Sequence, residues 1–175
     1  MRLLYLTGMR TGEALNLEWS RIDFQAQEIA LRARDTKTGK ARAIPFESGT
    51  PLAELLTRQR ESIKALERRE SRVIVQVFPE VAPVTFKRWW LRAVKAAGLP
   101  ALRPHDLRRS FVREAIRRGV SEGVTVALVG HRTRAMLARY DITSAQDLRE
   151  GMRRLATPTD TQTDTRKKAG EGEPT

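Results

Sequence analysis

The sequence contains no cysteine and only two histidines. Without cysteine there is no disulfide framework, no thiolate zinc site and no cysteine nucleophile, and two histidines leave little for any other transition-metal centre. Acidic residues are scarce beside basic ones, 21 Asp+Glu against 33 Lys+Arg in 175 residues, a formal net charge of +12. Long apolar runs are missing too, none approaching the roughly 20 residues of a membrane span. The short apolar stretch after Arg2 is cut by Gly8 and Arg10, with no small-residue cleavage site behind it. These absences predict a cytoplasmic protein with no metal and no membrane partner. What is present is 40% apolar and 31% charged residues, enough for one domain with a buried core. The surplus of positive charge points to a polyanion, nucleic acid above all.

The patterning is mixed but mainly helical. Leu3, Leu4 and Leu6 before Gly8 read as a helix end, and Thr11 is the expected cap of a short helix holding Ala14, Leu15 and Leu17. Residues 22–24, 28–33 and 42–46 are rich in β-formers, with the polar tip Asp35-Thr36-Lys37-Thr38-Gly39-Lys40 between the last two. They predict a small antiparallel sheet. Thr50 and Pro51 open a helix expected to end near Arg68. Residues 73–78 are apolar but of ambiguous type. Residues 83–97 form a helix with Phe86, Trp89, Trp90 and Val94 inward and Gly98 as its stop. Pro104, Ser121, Thr133 and Ser144 each start a further helix, the last reaching about Leu155. The remainder, residues 156–175, is almost devoid of apolar residues, cannot repay the entropy of ordering and reads as a disordered tail.

Both histidines stand in short patterned contexts, Pro104-His105-Asp106-Leu107-Arg108-Arg109-Ser110 and Val129-Gly130-His131-Arg132-Thr133. His105 and Arg108 are three apart on a helix, so their side chains leave one face and can converge on one anion. Tyr140 follows His131 by nine residues. Taken singly, Arg10 is an ordinary surface charge, Lys37 an ordinary turn residue and Tyr140 a helix-end aromatic. Only their ensemble carries meaning.

That ensemble resembles a known family. TGMRTGEALNLEWSRIDF, TKTGKARAIPF, HDLRRSF and VGHRTRAMLARY are similar, in order and spacing, to the conserved boxes of the tyrosine recombinases, the phage-integrase superfamily. The resemblance runs over residues 1 to about 155. It implies an α+β, mainly helical catalytic domain with a small antiparallel sheet, acting on double-stranded DNA and not on a small molecule. It maps the catalytic arginines to Arg10 and Arg108, the hairpin lysine to Lys37, the two histidines to His105 and His131, and the nucleophile to Tyr140. Family members usually carry a DNA-binding domain ahead of the first arginine. Met1 stands nine residues before Arg10, so the expectation is an N-terminally truncated catalytic domain over residues 1–155.

The chemistry of those residue types fits such a role. Attack on a phosphodiester adds negative charge to its non-bridging oxygens, and two guanidinium forks can hold those oxygens while staying charged at any working pH. A phenol with a pKa near 10 needs surrounding positive charge and a base, for which His105 is the better placed. His131 would hydrogen-bond the phosphate, and Lys37 would protonate the leaving 5′-oxygen. The side chains themselves supply the positive charge, and the resulting 3′-phosphotyrosyl bond keeps the energy of the broken one. Neither a metal nor ATP nor any other cofactor is expected.

Two other readings share much of this sequence: a non-catalytic DNA-binding remnant of an integrase, and a nicking-sealing enzyme like the type IB topoisomerases. The last helix carries the apolar stripe Leu148, Met152 and Leu155 beside Arg149, Arg153 and Arg154. Together with the family resemblance it suggests docking on a neighbouring copy, giving a homotetramer on DNA and a monomer free in solution.

Overall fold

The computed structural model describes residues 1–79, 81–130, 149, 152, 153 and 156. The chain divides into a unit Met1–Ile142 and a smaller unit Thr143–Thr175. In the latter the described residues Arg149, Met152, Arg153 and Ala156 are helical. The short helix expected at 133–140, the rest of the last helix and residues 157–175 of the expected tail lie outside the described residues; Ala156, expected as the first residue of that tail, is helical instead.

The described residues of the first unit follow the order α1 (Arg2–Thr7), α2 (Thr11–Leu15), β1 (Ile22–Asp23), β2 (Glu28–Leu31), β3 (Arg42–Pro45), α3 (Pro51–Glu70), α4 (Pro83–Ala96), α5 (Pro104–Arg117) and α6 (Glu122–Val129). Helices dominate, and the three short strands form one antiparallel sheet in the order β1-β2-β3. Its register places Ile22, Ile29 and Ile44 side by side. All three are buried, so the period-2 pattern fixes which face meets the core.

Helix boundaries fall where backbone donors and acceptors find local partners. Thr50 Oγ1 accepts the Ala53 N–H at the start of α3, with Pro51 at the first helical position. Ser121 Oγ does the same for Val124 at the start of α6. The end of α1 is tighter. Gly8 sits at φ +61, and a Cβ there would lie 2.6 Å from the Phe111 ring of α5. Only glycine lets the two helices approach so closely. The main core gathers the sheet, α1, α3 and α4 around Leu3, Leu17, Ile29, Leu56, Val77 and Trp90. A smaller cluster joins α5 to α6 through Val112 and Val129.

Four expectations need correction. Thr11 does not cap α2; Arg10 occupies the cap position, and its backbone N–H donates to Glu13 Oε2 at 2.8 Å. Strand β2 ends at Leu31 rather than residue 33, because Ala33–Asp35 turns as a 3-10 helix pinned by the Arg21 Nε to Asp35 Oδ2 ion pair at 2.7 Å. Trp89 is not core. It is 42% exposed, since the buried stripe of α4 runs Phe86, Trp90, Val94 at a spacing of four. Helix α3 continues two residues past Arg68, to Glu70. The ambiguous segment 73–78 is extended and lies along residues 17–19, with Trp19 N bonded to the Val75 carbonyl at 2.9 Å and Val77 N to the Leu17 carbonyl at 2.8 Å. Among the described residues no helix is long and apolar enough to cross a membrane.

Candidate active site

Among the described residues, three arginines meet at the C-terminal end of α6. Arg42 Nε donates to the Leu128 carbonyl at 3.0 Å, Arg108 Nη2 to the Val129 carbonyl, and Arg10 Nη2 to the Gly130 carbonyl at 3.4 Å. Each guanidinium thus takes one of three successive carbonyls. The carbonyls at a helix end lack intrahelical partners and carry the negative end of the helix dipole, so they are natural acceptors for cations. Gly130 closes the helix in the left-handed region at φ +66, and a Cβ there would stand 3.0 Å from Arg42 Nη1. The chain passes from this point directly into His131.

The three arginines come from distant segments. Arg108 is on α5 and only 2% exposed; its Nη1 donates to the Gly8 carbonyl at 2.6 Å. It therefore joins the end of α1 to the end of α6. Burial of a guanidinium is costly unless its donors are taken up, and these two carbonyls offset part of that cost by accepting from Nη1 and Nη2. Arg10 heads α2, with its side chain 22% exposed.

Glu13 organises the group, and sequence reasoning passed it over. Its carboxylate, 3% exposed, accepts Arg10 Nη1 at 2.9 Å and Arg42 Nη1 at 3.2 Å on Oε1. On Oε2 it accepts Arg42 Nη2 at 2.6 Å and the Arg10 backbone N–H at 2.8 Å. The signal that sequence held was the three-residue step from Arg10 to Glu13, which fits a reach-back bond at a helix start. Nothing local pointed to Arg42, 29 residues further on.

His105 lies in the first turn of α5. Burial pushes its imidazole below the usual histidine range; the positive charges of Arg108, Arg109 and Arg10 act in the same sense, with Asp106 opposing. Both effects favour the uncharged ring, the form that can accept a proton. Lys37 stands exposed on the hairpin tip, away from the described contacts of the arginine group. The tip itself is ordered by the buried Thr36, whose hydroxyl lies 3.1 Å from the Ala33 carbonyl and 2.9 Å from that of Lys40. The structure thus brings Arg10 and Arg108 to one helix end, with His105 within reach of their charge, and no described contact joins Lys37 to them. His131 and Tyr140 lie outside the described residues.

Glu13 also sets a pH dependence. Burial pushes its carboxyl up, but hydrogen bonds from Arg42 and from the Arg10 backbone outweigh this and hold it below the usual carboxylate range. A group with a depressed folded pKa contributes stability that is present above its unfolded value, near 4.3, and lost as pH falls through the folded value. His105, also depressed, acts with the same sign from about 6.5 downward. Urea unfolding across pH should therefore show Glu13→Gln less stable by about 3 kcal/mol at pH 7, with a shallower loss below about pH 4.3. An unchanged acid slope would mean that the ion pair contributes nothing.

The model of the phage integrase family matches residues 1–147. The chain belongs to the phage integrase family. Among curated relatives, a tyrosine recombinase XerC of Staphylococcus aureus (strain USA300 / TCH1516) is 27% identical over 153 residues, covering 86% of this integrase-family chain and 50% of the relative. The chain thus spans about half the length of the curated relatives it matches. The crystal structure of XerA recombinase superposes with a TM-score of 0.63 at 24% identity, over 90% of this chain and 55% of that one. The catalytic domain of bacteriophage HP1 integrase does so with a TM-score of 0.60 at 22% identity, over 87% and 77%. At these identities the likeness establishes the fold, that of tyrosine recombinase catalytic domains.

Proposed function

We propose that this chain is the catalytic part of a site-specific DNA recombinase that breaks and rejoins strands through a 3′-phosphotyrosyl intermediate. The observation that carries the reading is the convergence of Arg10 and Arg108 on one helix end, whose positive charges also act on His105. In this reading the two forks bind the non-bridging oxygens of the scissile phosphate. The Tyr140 hydroxyl attacks phosphorus and gives its proton to His105. His131 hydrogen-bonds the phosphate. The bond to the 5′-oxygen breaks, and Lys37 delivers the proton that makes it a hydroxyl. A 5′-hydroxyl from another strand reverses these steps, so no ATP is consumed, and the charge is supplied by side chains rather than a metal.

Net positive charge favours phosphate-driven, salt-sensitive binding to duplex DNA. Several of the structures with this fold are of integrases or recombinases bound to DNA, among them the Tn1549 transposon integrase and XerH on its difH substrate. By analogy we place this chain on duplex DNA in the cytoplasm, as a tetramer of copies there and a monomer when free. The test is incubation of the protein with a nicked suicide duplex in EDTA without ATP. A denaturant-stable protein–DNA adduct is expected. Duplex binding without any adduct would favour a non-catalytic binder, and supercoil relaxation without partner exchange a topoisomerase-like enzyme.

A further inference from the structure

Arg42 is the one member of the arginine group that the proposed chemistry leaves without a task. It lies on β3, the strand that returns from the Lys37 tip, and its side chain is only 6% exposed. It is therefore shielded where Arg10 is partly open. Its three nitrogens are all engaged inside the protein: Nε by the Leu128 carbonyl, and Nη1 and Nη2 by the two oxygens of Glu13. The same two oxygens receive the side chain and the backbone N–H of Arg10. Gly130 is packed against the Arg42 guanidinium as well.

We propose that Arg42 is a positioning residue for Arg10: its fork holds the Glu13 carboxylate in the one orientation that aims the Arg10 guanidinium, and locks β3, the start of α2 and the end of α6 together. The inference rests on the reading of Arg10 as a phosphate ligand. The geometry demands arginine. A planar fork can meet both carboxylate oxygens and still offer Nε to a third acceptor, whereas a lysine ammonium is a point charge that cannot span all three. Without the fork, the Glu13 oxygens regain freedom to rotate, and Arg10 loses the fixed acceptor that sets its side chain. A reacting group misplaced by about 1 Å costs on the order of 100-fold in rate.

The experiment compares full-length wild type, Arg42→Gln and Arg42→Lys in two measurements. The first needs no DNA: 15N relaxation of the Arg10 Nε–H in the free protein, expected to show an ordered guanidinium in wild type and a mobile one in both variants. The second is single-turnover cleavage of the nicked duplex, expected to fall by about tenfold to 100-fold in each variant with duplex affinity held within about threefold. The double variant Arg10→Ala/Arg42→Gln should cleave no more slowly than Arg10→Ala alone, because a residue that acts through Arg10 has nothing left to position. A merely structural role would instead multiply the two losses. Multiplied losses, or an Arg10 that stays ordered in both variants, overturn the proposal. So does failure of both variants to fold, which would make Arg42 a folding residue; if only Arg42→Gln fails, Arg42→Lys carries both measurements and the cycle. If wild type forms no adduct, the recombinase reading fails, and the relaxation measurement still decides whether Arg42 orders Arg10.

Discussion

Tyr140→Phe should leave duplex binding intact and remove the covalent adduct altogether, a loss larger than that of any other single substitution. The argument is chemical. Phenylalanine keeps the ring, so whatever packing the aromatic provides survives, but it has no oxygen to form the bond to phosphorus. Groups that stabilise charge or move protons can be removed with residual activity, since the others still act. The nucleophile cannot. An adduct that persists in the Phe variant at the wild-type rate would mean that another residue attacks, and the assignment of residues 129–140 as the tyrosine-bearing box would fall.

Arg108→Lys is expected to have the next largest effect, and on two properties at once. In the folded protein Arg108 is buried and gives Nη1 to the Gly8 carbonyl and Nη2 to that of Val129. A lysine reaches at most one of these acceptors well, leaving the other short of a partner in a dry environment. The cost is about 2 kcal/mol of stability, read as a lowered urea midpoint. At a phosphate site the same change replaces a fork by a point charge where negative charge develops, and cleavage should fall by about 100-fold to 1,000-fold while duplex affinity changes far less. Equal losses of cleavage and affinity would mark Arg108 as an ordinary DNA backbone contact.

The dual duty of Arg108 explains what the sequence could and could not convey. Start and stop signals are local chemistry, and they were legible: Thr50 and Ser121 as caps, Pro51, Pro83 and Pro104 at first helical positions, Gly8 and Gly130 as stops. So was the sheet, because Ile29, Leu31 and Ile44 alternate with residues that face outward. Trp89 was not, since an aromatic three residues after Phe86 lies on the same side of a helix as one four residues after it. Only packing decided that Trp90 turns inward. The link from Glu13 to Arg42 was hidden for a stronger reason. An acidic residue in a first turn and an arginine on a strand are commonplace, and nothing short of the folded chain reveals that they share two hydrogen bonds across 29 residues. The candidate catalytic residues were legible only as ordered boxes. Of these, Arg10, Arg108 and His105 can be followed in space, where one helix end and one shared field of positive charge connect them.

The central claim is that a tyrosine of this chain becomes bonded to a DNA 3′-phosphate. Its most direct test is to trap the adduct of the wild-type protein on a nicked duplex in EDTA, digest it with protease and nuclease, and locate the modified peptide by mass spectrometry. The account expects a nucleotide 3′-phosphate on Tyr140 and a free 5′-hydroxyl on the released strand. A phosphate bonded to any other residue, a 5′-phosphotyrosyl linkage, or released strands bearing no attached protein under conditions where the duplex is cut, would contradict it.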